Sequence, residues 1–392
     1  MRRSSVTLMD YIVDSLNKIN HLMGRDSGEK GDRIMTLFEF IYFLGYSAKK
    51  YYSLKYQKRL PHKVISIGNI TAGGTGKTPA AIAIAEEAKK RGFCPVILTR
   101  GYKGKAKGPC FVKGRNPLSV MRNGLKNEVN ASRITLHASR LYGDEPVLMS
   151  EILKDVPIVK CADRYEGGMF AIQTLNSQLL TLNSQLLFIL DDGFQHWQLF
   201  RDKNILLIDA ENPFDNRRLL PVGLLREPLK EIERADIIAL TKTGDIRPEM
   251  LGIEDIVGEI KSYNSKAPVF LSMHKPSGFV KLSGETMPLE WAKEGLFSFF
   301  AFCGIGSPES FRKTVLSAGC SLKGLKKYSD HYTYKQEDIE DIIKEVKAGN
   351  ADWIVTTEKD MVRLRGLRLP ENLVALKVRF AIRSEFYDEV FK

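Results

Sequence analysis

Residues 64–79, VISIGNITAGGTGKTP, join a hydrophobic run to a glycine-rich segment that ends in Lys77 and Thr78. The β-branched run predicts a strand and the glycines predict a tight loop. The alanine-rich segment that follows predicts a helix. Such a loop points backbone N–H groups and a helix N-terminus at a phosphate chain. The lysine ammonium then reaches the β- and γ-phosphates, and the threonine hydroxyl ligates Mg²⁺. The stretch therefore predicts a site for a nucleoside triphosphate and Mg²⁺.

The loop departs from the pattern G-x-x-x-x-G-K-[ST] at one position, because Thr71 stands where the pattern has its first glycine. A surface turn before a helix is the alternative interpretation of a Gly-Lys-Thr match. The strand, loop and helix signals agree with one another here, which favours the phosphate site and leaves only its subclass open. The residues predicted to bind the nucleotide are Thr71, Ala72, Gly73, Gly74, Thr75, Gly76, Lys77 and Thr78.

The composition is that of a folded chain with an anionic partner. Its 392 residues are 43% hydrophobic and 27% charged, which allows two domains with proper cores. Lysine and arginine outnumber the acids by 59 to 47, and the net charge of +12 suits a nucleotide, a nucleic acid, a phosphorylated lipid or a membrane surface. The five cysteines are scattered and form no C-x-x-C pair, which indicates a reducing compartment. We expect a cytoplasmic protein.

The N-terminal region offers a candidate membrane contact. Residues 1–32 form a predicted extension with a short amphipathic helix over 5–23, and residues 34–46 are apolar except for Glu39. This apolar run is too short to span a bilayer, which needs about 20 residues. Residues 47–63 add basic and tyrosine side chains without an acid, a mixture that suits an anionic membrane surface. A helix that only packs on the domain is the alternative. Nucleic acid is disfavoured as a partner, because no RNA-binding motif is present.

Two further stretches place acids where catalysis would need them. The buried-strand run LLFIL, residues 186–190, ends in Asp191 and Asp192, which predicts a metal site beside the phosphate loop. Buried adjacent acids are costly unless a metal or another cation compensates them. The sequence Gly-Asp-Glu-Pro at 143–146 fits a helix start, although helix capping alone would also explain Asp144.

The order of elements predicts a mainly parallel, doubly wound α/β sheet of the P-loop NTPase type, with ligands at the carboxyl ends of the strands. We expect a P-loop domain over residues 33–272, including the N-terminal apolar helix, and a smaller α/β domain over 273–392. Residues 103–140 are polar and poorly periodic and are predicted to be a long loop or insertion. The heptad TLNSQLL occurs in tandem at 174–180 and 181–187, which predicts a lengthened helix.

Taken together, these motifs resemble the tetraacyldisaccharide 4′-kinase family of lipid A biosynthesis over residues 62–380. The resemblance implies an ATP- and Mg²⁺-dependent phosphotransferase with an alcohol group as acceptor. Its substrate would be the 4′-hydroxyl of an acylated glucosamine disaccharide 1-phosphate, met peripherally at the inner face of the cytoplasmic membrane. It also favours the membrane interpretation of the N-terminal helix. The segments that carry it are GNITAGGTGKTP, LTRGYKG, GDEPVLMS, DDGFQHWQLFRD, RRLLPVGLLREPL, FCGIGSPESF, SDHYTY and TTEKDMVRL.

The resemblance also implies metal-site and phosphate roles. Lys77 and Thr78 would bind the phosphates and Mg²⁺. Asp192 resembles a metal ligand, with Asp191 close to the reacting phosphate. Glu227, in the segment LREP, would be a second contributor to the metal site. The residues expected to contact substrate phosphate or transition-state charge are Arg100, Arg164, Gln195 and Arg226.

The catalytic base implied by the resemblance is Asp144, paired with His331 of SDHYTY. The histidine would hold the carboxylate ready to take the proton of the sugar hydroxyl. If His331 comes from the second domain, closure of the two domains would complete the site. The alternative function is a P-loop ATPase or GTPase that acts as a nucleotide switch on a protein partner. Such a switch would share Asp192 but would not need this pair to touch a substrate hydroxyl.

Overall fold

The structure is a computed structural model that describes residues 35–112, 138–179, 185–244 and 252–392, together with Met9 and Val13. Apart from Met9 and Val13, which are helical, the predicted helix over 5–23 lies outside the described residues. The greater part of the predicted loop at 103–140 and the junction of the two TLNSQLL copies also lie outside them.

The first half of the described chain alternates strands and helices, as predicted. Its elements are α1 (Leu37–Lys55), β1 (Lys63–Gly68), α2 (Lys77–Lys90), β2 (Cys94–Thr99), β3 (Cys110–Phe111), α3 (Asp144–Ile152), β4 (Ile158–Lys160), α4 (Arg164–Leu179), β5 (Leu186–Leu190), β6 (Lys203–Asp209), a 3-10 helix (Leu229–Arg234) and β7 (Ile237–Thr241).

The second half repeats this alternation with shorter helices. Its elements are α5 (Ile253–Tyr263), β8 (Val269–Val280), β9 (Thr286–Met287), α6 (Leu289–Glu294), β10 (Ser298–Cys303), α7 (Pro308–Ser317), β11 (Ser321–Lys327), α8 (Gln336–Ala348), β12 (Trp353–Thr357), α9 (Glu358–Arg363), β13 (Leu373–Ile382) and α10 (Ser384–Phe391).

The described strands form one mainly parallel sheet in the order β11-β10-β12-β13-β8-β7-β6-β1-β5-β2-β4-β3, and β9 pairs with β8. Helices cover both faces, so the central strands are buried on both sides and consist of continuous apolar runs. All five residues of β5 are buried, for example. The predicted doubly wound α/β fold is confirmed.

The direction in which strands are added to the sheet changes at β1. Its parallel neighbours are β5 on one side and β6 on the other. From β5 the sheet continues to β2 and β4, whereas from β6 it continues to β7. A crevice opens outside the carboxyl ends of the strands where the order reverses, and ligands of such folds bind there. The loops after β1 and β5 therefore meet at this crevice.

The long strand β8 joins the two halves of the sheet. Its first residues, up to Leu271, pair in parallel with β7, and from Ser272 onwards it pairs antiparallel with β13. This change of partner coincides with the predicted domain boundary. We call residues 35–271 together with α10 the first lobe, and residues 272–382 the second lobe.

The C-terminal helix α10 crosses the predicted boundary. Its Phe386 and Val390 are fully buried in the core that surrounds Ile65 and Ala81 of the first lobe. An amphipathic helix at the end of the chain gives no sequence signal of which sheet face it will cover. The residues that complete the first core therefore come from the far end of the sequence.

The apolar segment and the basic segment near the N-terminus form the single helix α1. It begins with a capping box, in which Thr36 and Glu39 satisfy one another's backbone N–H groups. Glu39 is also engaged by the Arg218 guanidinium, with Nη2 2.6 Å from Oε2. Phe43 packs into the core, whereas Leu37 is largely exposed on the opposite side. Within the described ranges, no helix is long and apolar enough to cross a bilayer.

Strand β3 lies inside the region that the sequence predicts to be a loop. It pairs antiparallel with β4 through Cys110 and Phe111 at the edge of the sheet. Two residues are too few to show a periodic pattern, so this strand is visible only in the structure.

Candidate active site

A cleft of about 1140 Å³ lies between the two lobes at the crevice beside β1. The first lobe contributes the glycine-rich loop at 73–78, the acids that follow β5, and the loop after β2. The second lobe contributes His331 and the turn at 305–307. The two lobes thus face one another across the phosphate loop.

The glycine-rich loop explains why position 71 need not be glycine. Thr71 forms an isolated β-bridge with Leu225, and the N–H of Ala72 donates to the carbonyl of Leu224. Thr71 thus takes part in a local bridge outside the strands of the sheet, and such a β-paired position accepts a β-branched residue. The left-handed positions come later, at Gly73 (φ 127°) and Gly76 (φ 84°), where glycine is needed.

Gly76 is also required by a close contact with the second lobe. A Cβ at this position would lie 2.4 Å from Nε2 of His274, which belongs to β8. Burial and the nearby positive charge of Lys242 together lower the pKa of His274 to about 4. A neutral imidazole therefore packs beneath the turn that begins α2.

Lys77 and the acid Asp192 face one another in the cleft, with Nζ 3.7 Å from Oδ1. The lysine also donates to Asn69 Oδ1, and Arg226 Nη1 donates to both oxygens of Asp192. Burial acts to raise the pKa of Asp192, but Lys77 and Arg226 hold it below its usual value. Thr78 lines the same part of the cleft. An ionised carboxylate is therefore fixed beside the phosphate loop.

The neighbouring acid Asp191 is buried and accepts a hydrogen bond of 3.1 Å from Thr99 Oγ1. Its burial raises its pKa to about 7, and the negative charges of Glu145 and Asp192 contribute to the increase. The two adjacent acids thus differ in environment, because Asp192 is paired with cations whereas Asp191 lies near other acids.

Asp144 and His331 are brought together from the two lobes. Asp144 begins α3, after Gly143 as its N-cap, and its Oδ2 lies 3.7 Å from His331 Nδ1. This distance is too long for a hydrogen bond. Arg363 links the two, because Nε donates to Asp144 Oδ2 at 2.7 Å and Nη2 lies 3.1 Å from His331 Nδ1. Burial acts to raise the pKa of Asp144, but His331 and Arg363 hold it below its usual value.

Glu227 lies behind the cleft wall and is fully buried. Both of its oxygens accept from Arg234 Nη2, at 2.7 and 2.6 Å, and Gln195 donates to the same carboxylate. Burial raises the pKa of Glu227 to about 7. Gln195 lines the cleft, so it separates Glu227 from the open part of the predicted metal site.

The three arginines predicted to contact substrate all line the cleft. Arg226 is paired with Asp192, and Arg100 is exposed at the end of β2. Arg164 is buried, and its Nη1 donates to the Ala162 carbonyl, while its Nε has no hydrogen-bond partner among the described residues. Arg164 therefore has donor capacity to spare for an anionic ligand.

Two basic side chains of α9 take part in the site without having been predicted. Arg363 contacts the Asp144–His331 pair, and Lys359 Nζ donates to Glu145 Oε1 at 2.9 Å. The available signal was their spacing in TTEKDMVRL, because residues four apart on a helix share one face. That spacing alone does not show what the face contacts.

A glycine-rich loop at the switch point of a parallel sheet, with a lysine facing an ionised acid, defines a P-loop nucleotide-binding enzyme. His331 lines the same cleft, and together with the Asp144 carboxylate beside it this imidazole is suited to orienting a hydroxyl group. The site thus belongs to the class of P-loop phosphotransferases.

Comparison with known proteins identifies the family. The family model described as LpxK, tetraacyldisaccharide-1-P 4′-kinase, matches residues 32–392. A tetraacyldisaccharide 4′-kinase of Syntrophus aciditrophicus (strain SB) is 35% identical over 381 residues, 92% of this chain and 94% of that protein. One of Aquifex aeolicus (strain VF5) is 34% identical over 328 residues, 84% of this chain and 86% of that protein.

A solved structure agrees with these relatives. The crystal structure of the "apo" form of LpxK from Aquifex aeolicus in complex with ATP matches with a TM-score of 0.62 and 29% identity, over 96% of this chain and 98% of that one. The chain belongs to the tetraacyldisaccharide-1-P 4′-kinase family. Its activity is that of an ATP-dependent kinase that acts on a hydroxyl group in lipid A biosynthesis, as the sequence predicted.

Proposed function

We propose that this chain transfers the γ-phosphate of ATP to the 4′-hydroxyl of a tetraacyldisaccharide 1-phosphate at the inner face of the cytoplasmic membrane. One observation carries the assignment of residues: the cleft that contains the phosphate loop around Lys77 is also lined by His331 of the second lobe, and the carboxylate of Asp144 on the first lobe lies 3.7 Å from that imidazole. Phosphoryl transfer depends on positioning and charge stabilisation more than on covalent help from the protein, and this arrangement supplies both.

The phosphate loop binds the triphosphate. The backbone N–H groups at 73–78 and the N-terminus of α2 attract the β- and γ-phosphates, and Lys77 neutralises their charge. In the described conformation Lys77 contacts Asn69 and Asp192, so the arriving phosphates take over the ammonium group from these side chains.

The oxygen donors beside the loop fit Mg²⁺, which is commonly held by one or two carboxylates together with nucleotide phosphates. The hydroxyl of Thr78 and the carboxylate of Asp192 would hold it. Lys77 and Arg226 keep Asp192 ionised, and the ionised carboxylate is the form that can ligate Mg²⁺. When bound, Mg²⁺ neutralises charge on the transferring phosphate. Glu227 would contribute only after exchange of its ion pair with Arg234.

Asp144 accepts the proton of the attacking hydroxyl, and His331 orients the carboxylate. The lowered pKa of Asp144 keeps it ionised at neutral pH but makes it a weak base. A weak base is sufficient here, because the loose transition state of phosphoryl transfer requires the hydroxyl to be oriented more than deprotonated in advance. Asp191 lies close to the transferring phosphate.

Three cleft arginines recognise the anionic parts of the ligands. Arg164 has an unpartnered Nε, and Arg100 is exposed at the cleft wall, so both are available to a phosphate group. Arg226 is paired with Asp192, and it would be available to a ligand phosphate once that pair is exchanged. Gln195 also lines the cleft, where its side-chain amide donates to the carboxylate of Glu227.

The outer face of α1 supplies the membrane contact. Leu37, Phe38 and Ile41 are 69%, 66% and 57% exposed, although they are large and apolar. An exposed apolar helix face is suited to the headgroup region of a bilayer. Several basic residues of the helix end are engaged with the protein, such as Lys50 with Glu231, so apolar contact contributes more than charge.

The deciding experiment measures transfer of radiolabelled γ-phosphate from ATP to a tetraacyldisaccharide 1-phosphate in mixed detergent micelles. Lys77→Ala is the inactive variant, and Lys89→Ala, which changes an exposed lysine of the same helix outside the cleft lining, is the matched control. We expect labelled lipid from the wild type and from Lys89→Ala only. ATP turnover with no labelled lipid, despite binding to the micelles, would favour a nucleotide switch instead.

A further inference from the structure

Three ion pairs connect helix α3 of the first lobe to the segment 359–365 of the second lobe. Their acids all lie on α3, and their bases are spaced so that they face it. The pairs are Asp144 with Arg363, Glu145 with Lys359, and Glu151 with Arg365. The first pair touches the proposed base, whereas the third lies at the opposite end of α3.

Arg363 is the most constrained of these bases, with only 5% of its side chain exposed. Its Nη1 donates to the carbonyl of Gly304 at 2.7 Å and to Asp360 Oδ1 at 3.0 Å. Its Nε and Nη2 are directed at Asp144 and His331. All three nitrogens of the guanidinium are therefore used.

Asp360 holds the guanidinium of Arg363 in place. It is fully buried, and it accepts from the Tyr334 hydroxyl, the Thr357 hydroxyl and the N–H of Gly304. Buried networks in which every member is satisfied hold side chains in one orientation. The position of Arg363 is thus determined by the second lobe, before any substrate arrives.

The geometry of the acid–histidine pair gives Arg363 its role. The carboxylate of Asp144 and the imidazole of His331 are 3.7 Å apart, and each is in hydrogen-bond range of Arg363. We propose that Arg363 is a positioning residue, which holds Asp144 and His331 together across the lobe interface in the geometry that hydroxyl activation needs. The inference rests on the proposed function of this pair.

Lysine cannot replace arginine in this position. A planar guanidinium reaches three directions at once, whereas a lysine ammonium is a point charge on a flexible stem. Arg363→Lys therefore keeps the positive charge but loses the link between the acid and the histidine. Arg363→Met removes both the charge and the link.

Removal of the charge also changes the pH profile. The charged groups next to Asp144 are Arg363 of α9 and His331 of the loop before α8. Lys359 of α9 is paired with Glu145, and Asp360 is paired with Arg363 itself. Without the guanidinium, the pKa of Asp144 rises, so the acid limb of kcat/KM moves to higher pH. A residue with a purely structural role would lower activity without this shift.

The test compares Arg363→Met and Arg363→Lys with Arg365→Met in the lipid phosphorylation assay. Arg365 is the matched control, because it also forms a cross-lobe ion pair but does not contact the acid–histidine pair. We expect both Arg363 variants to lower kcat by about 10²-fold or more, with KM for ATP within about threefold. Only Arg363→Met should shift the acid limb. Arg365→Met should stay within about threefold of wild type.

Two outcomes would overturn the inference. One is a kcat near the wild-type value for Arg363→Lys, and the other is an equal loss in Arg365→Met. If Arg363→Met does not fold, as judged by thermal unfolding, Arg363→Lys alone decides the question. Failure of the proposed function is separate, because the wild-type protein itself would then produce no labelled lipid.

Discussion

The ammonium group of Lys77 lies 3.7 Å from a carboxylate oxygen of Asp192. This ion pair joins the start of α2 to the loop that follows strand β5. The phosphate loop and the acid proposed to hold the metal are therefore neighbours before a nucleotide binds. Loss of Lys77 removes charge stabilisation of the transferring phosphate. We expect Lys77→Ala to lower the rate of phosphate transfer by about 10²–10³-fold or more.

The measurement is single-turnover transfer of the γ-phosphate at saturating lipid. Asp192→Asn should give a loss of the same order, together with a higher Mg²⁺ concentration for half-maximal activity. A variant of Asp192 with an unchanged Mg²⁺ requirement would show that this carboxylate does not hold the metal.

The proposed base makes a different prediction. Asp144→Asn and His331→Ala should lower kcat by about 10²–10⁴-fold, because they remove the group that orients and deprotonates the hydroxyl. ATP binding, measured by calorimetry, should remain within about threefold of wild type, since neither residue lies in the phosphate loop. Full kinase activity in both variants would refute the assignment.

The sequence was sufficient for the elements that bind phosphate, since strand, loop and helix signals are all local between residues 64 and 79. It also placed Asp192, because an acid after a buried strand is recognisable by its position alone. The partners of these residues could not be predicted. Arg234 beside Glu227 and Arg363 beside Asp144 depend on which helix faces pack together, and no local pattern encodes that packing.

Glu227 is another residue whose partner could not be predicted from the sequence. The segment LREP resembles the family motif, but only the structure shows that both oxygens of Glu227 are occupied by Arg234. Sequence patterns report residue type and spacing, whereas the choice between a metal and an arginine as partner of a buried acid is made by tertiary contacts. Its role in the metal site stays a prediction.

That ion pair has a measurable effect on stability. Arg234→Met leaves the fully buried Glu227 without its cation, and breaking a buried pair in this way costs about 3–5 kcal/mol. We expect a corresponding loss in the free energy of unfolding in urea at neutral pH. The double variant with Glu227→Gln should regain most of it, because no uncompensated charge remains. A single variant as stable as the wild type would contradict this account.

His274 predicts a dependence of stability on pH. Burial, and to a smaller extent the charge of Lys242, lower its pKa from 6.5 to about 4, while Glu211 acts in the opposite direction. The unfolded chain binds the proton more readily, so the stability contribution is complete above pH 6.5 and is lost as the pH falls towards 4. The wild type should lose about 2–3 kcal/mol more than His274→Gln between pH 7.5 and 4.5.

Urea unfolding of both proteins at the two pH values measures this difference. Taking the difference between wild type and variant cancels the other titrating groups. If the two proteins lose stability in parallel, the imidazole is not held neutral beneath Gly76.

The outer face of α1 predicts binding to membranes. Replacement of Leu37, Phe38 and Ile41 by serine should weaken binding to anionic vesicles by about 10²-fold or more, since each apolar side chain contributes about 1.5–3 kcal/mol when fully buried. Vesicle co-sedimentation measures the effect. Leu296→Ser is the matched control, because Leu296 is 89% exposed but lies on the second lobe. An equal loss in the control would show that any exposed leucine has this effect.

The packing of α10 has a consequence for how the protein is made. Phe386 and Val390 fill the core that lies beneath β1 and α2, and they are translated more than 300 residues after the phosphate loop. The phosphate loop is therefore made long before the core beneath it can be completed. A growing chain cannot close this core until α10 has been synthesised, and a truncated product that lacks α10 lacks part of the core on which the P-loop helix rests.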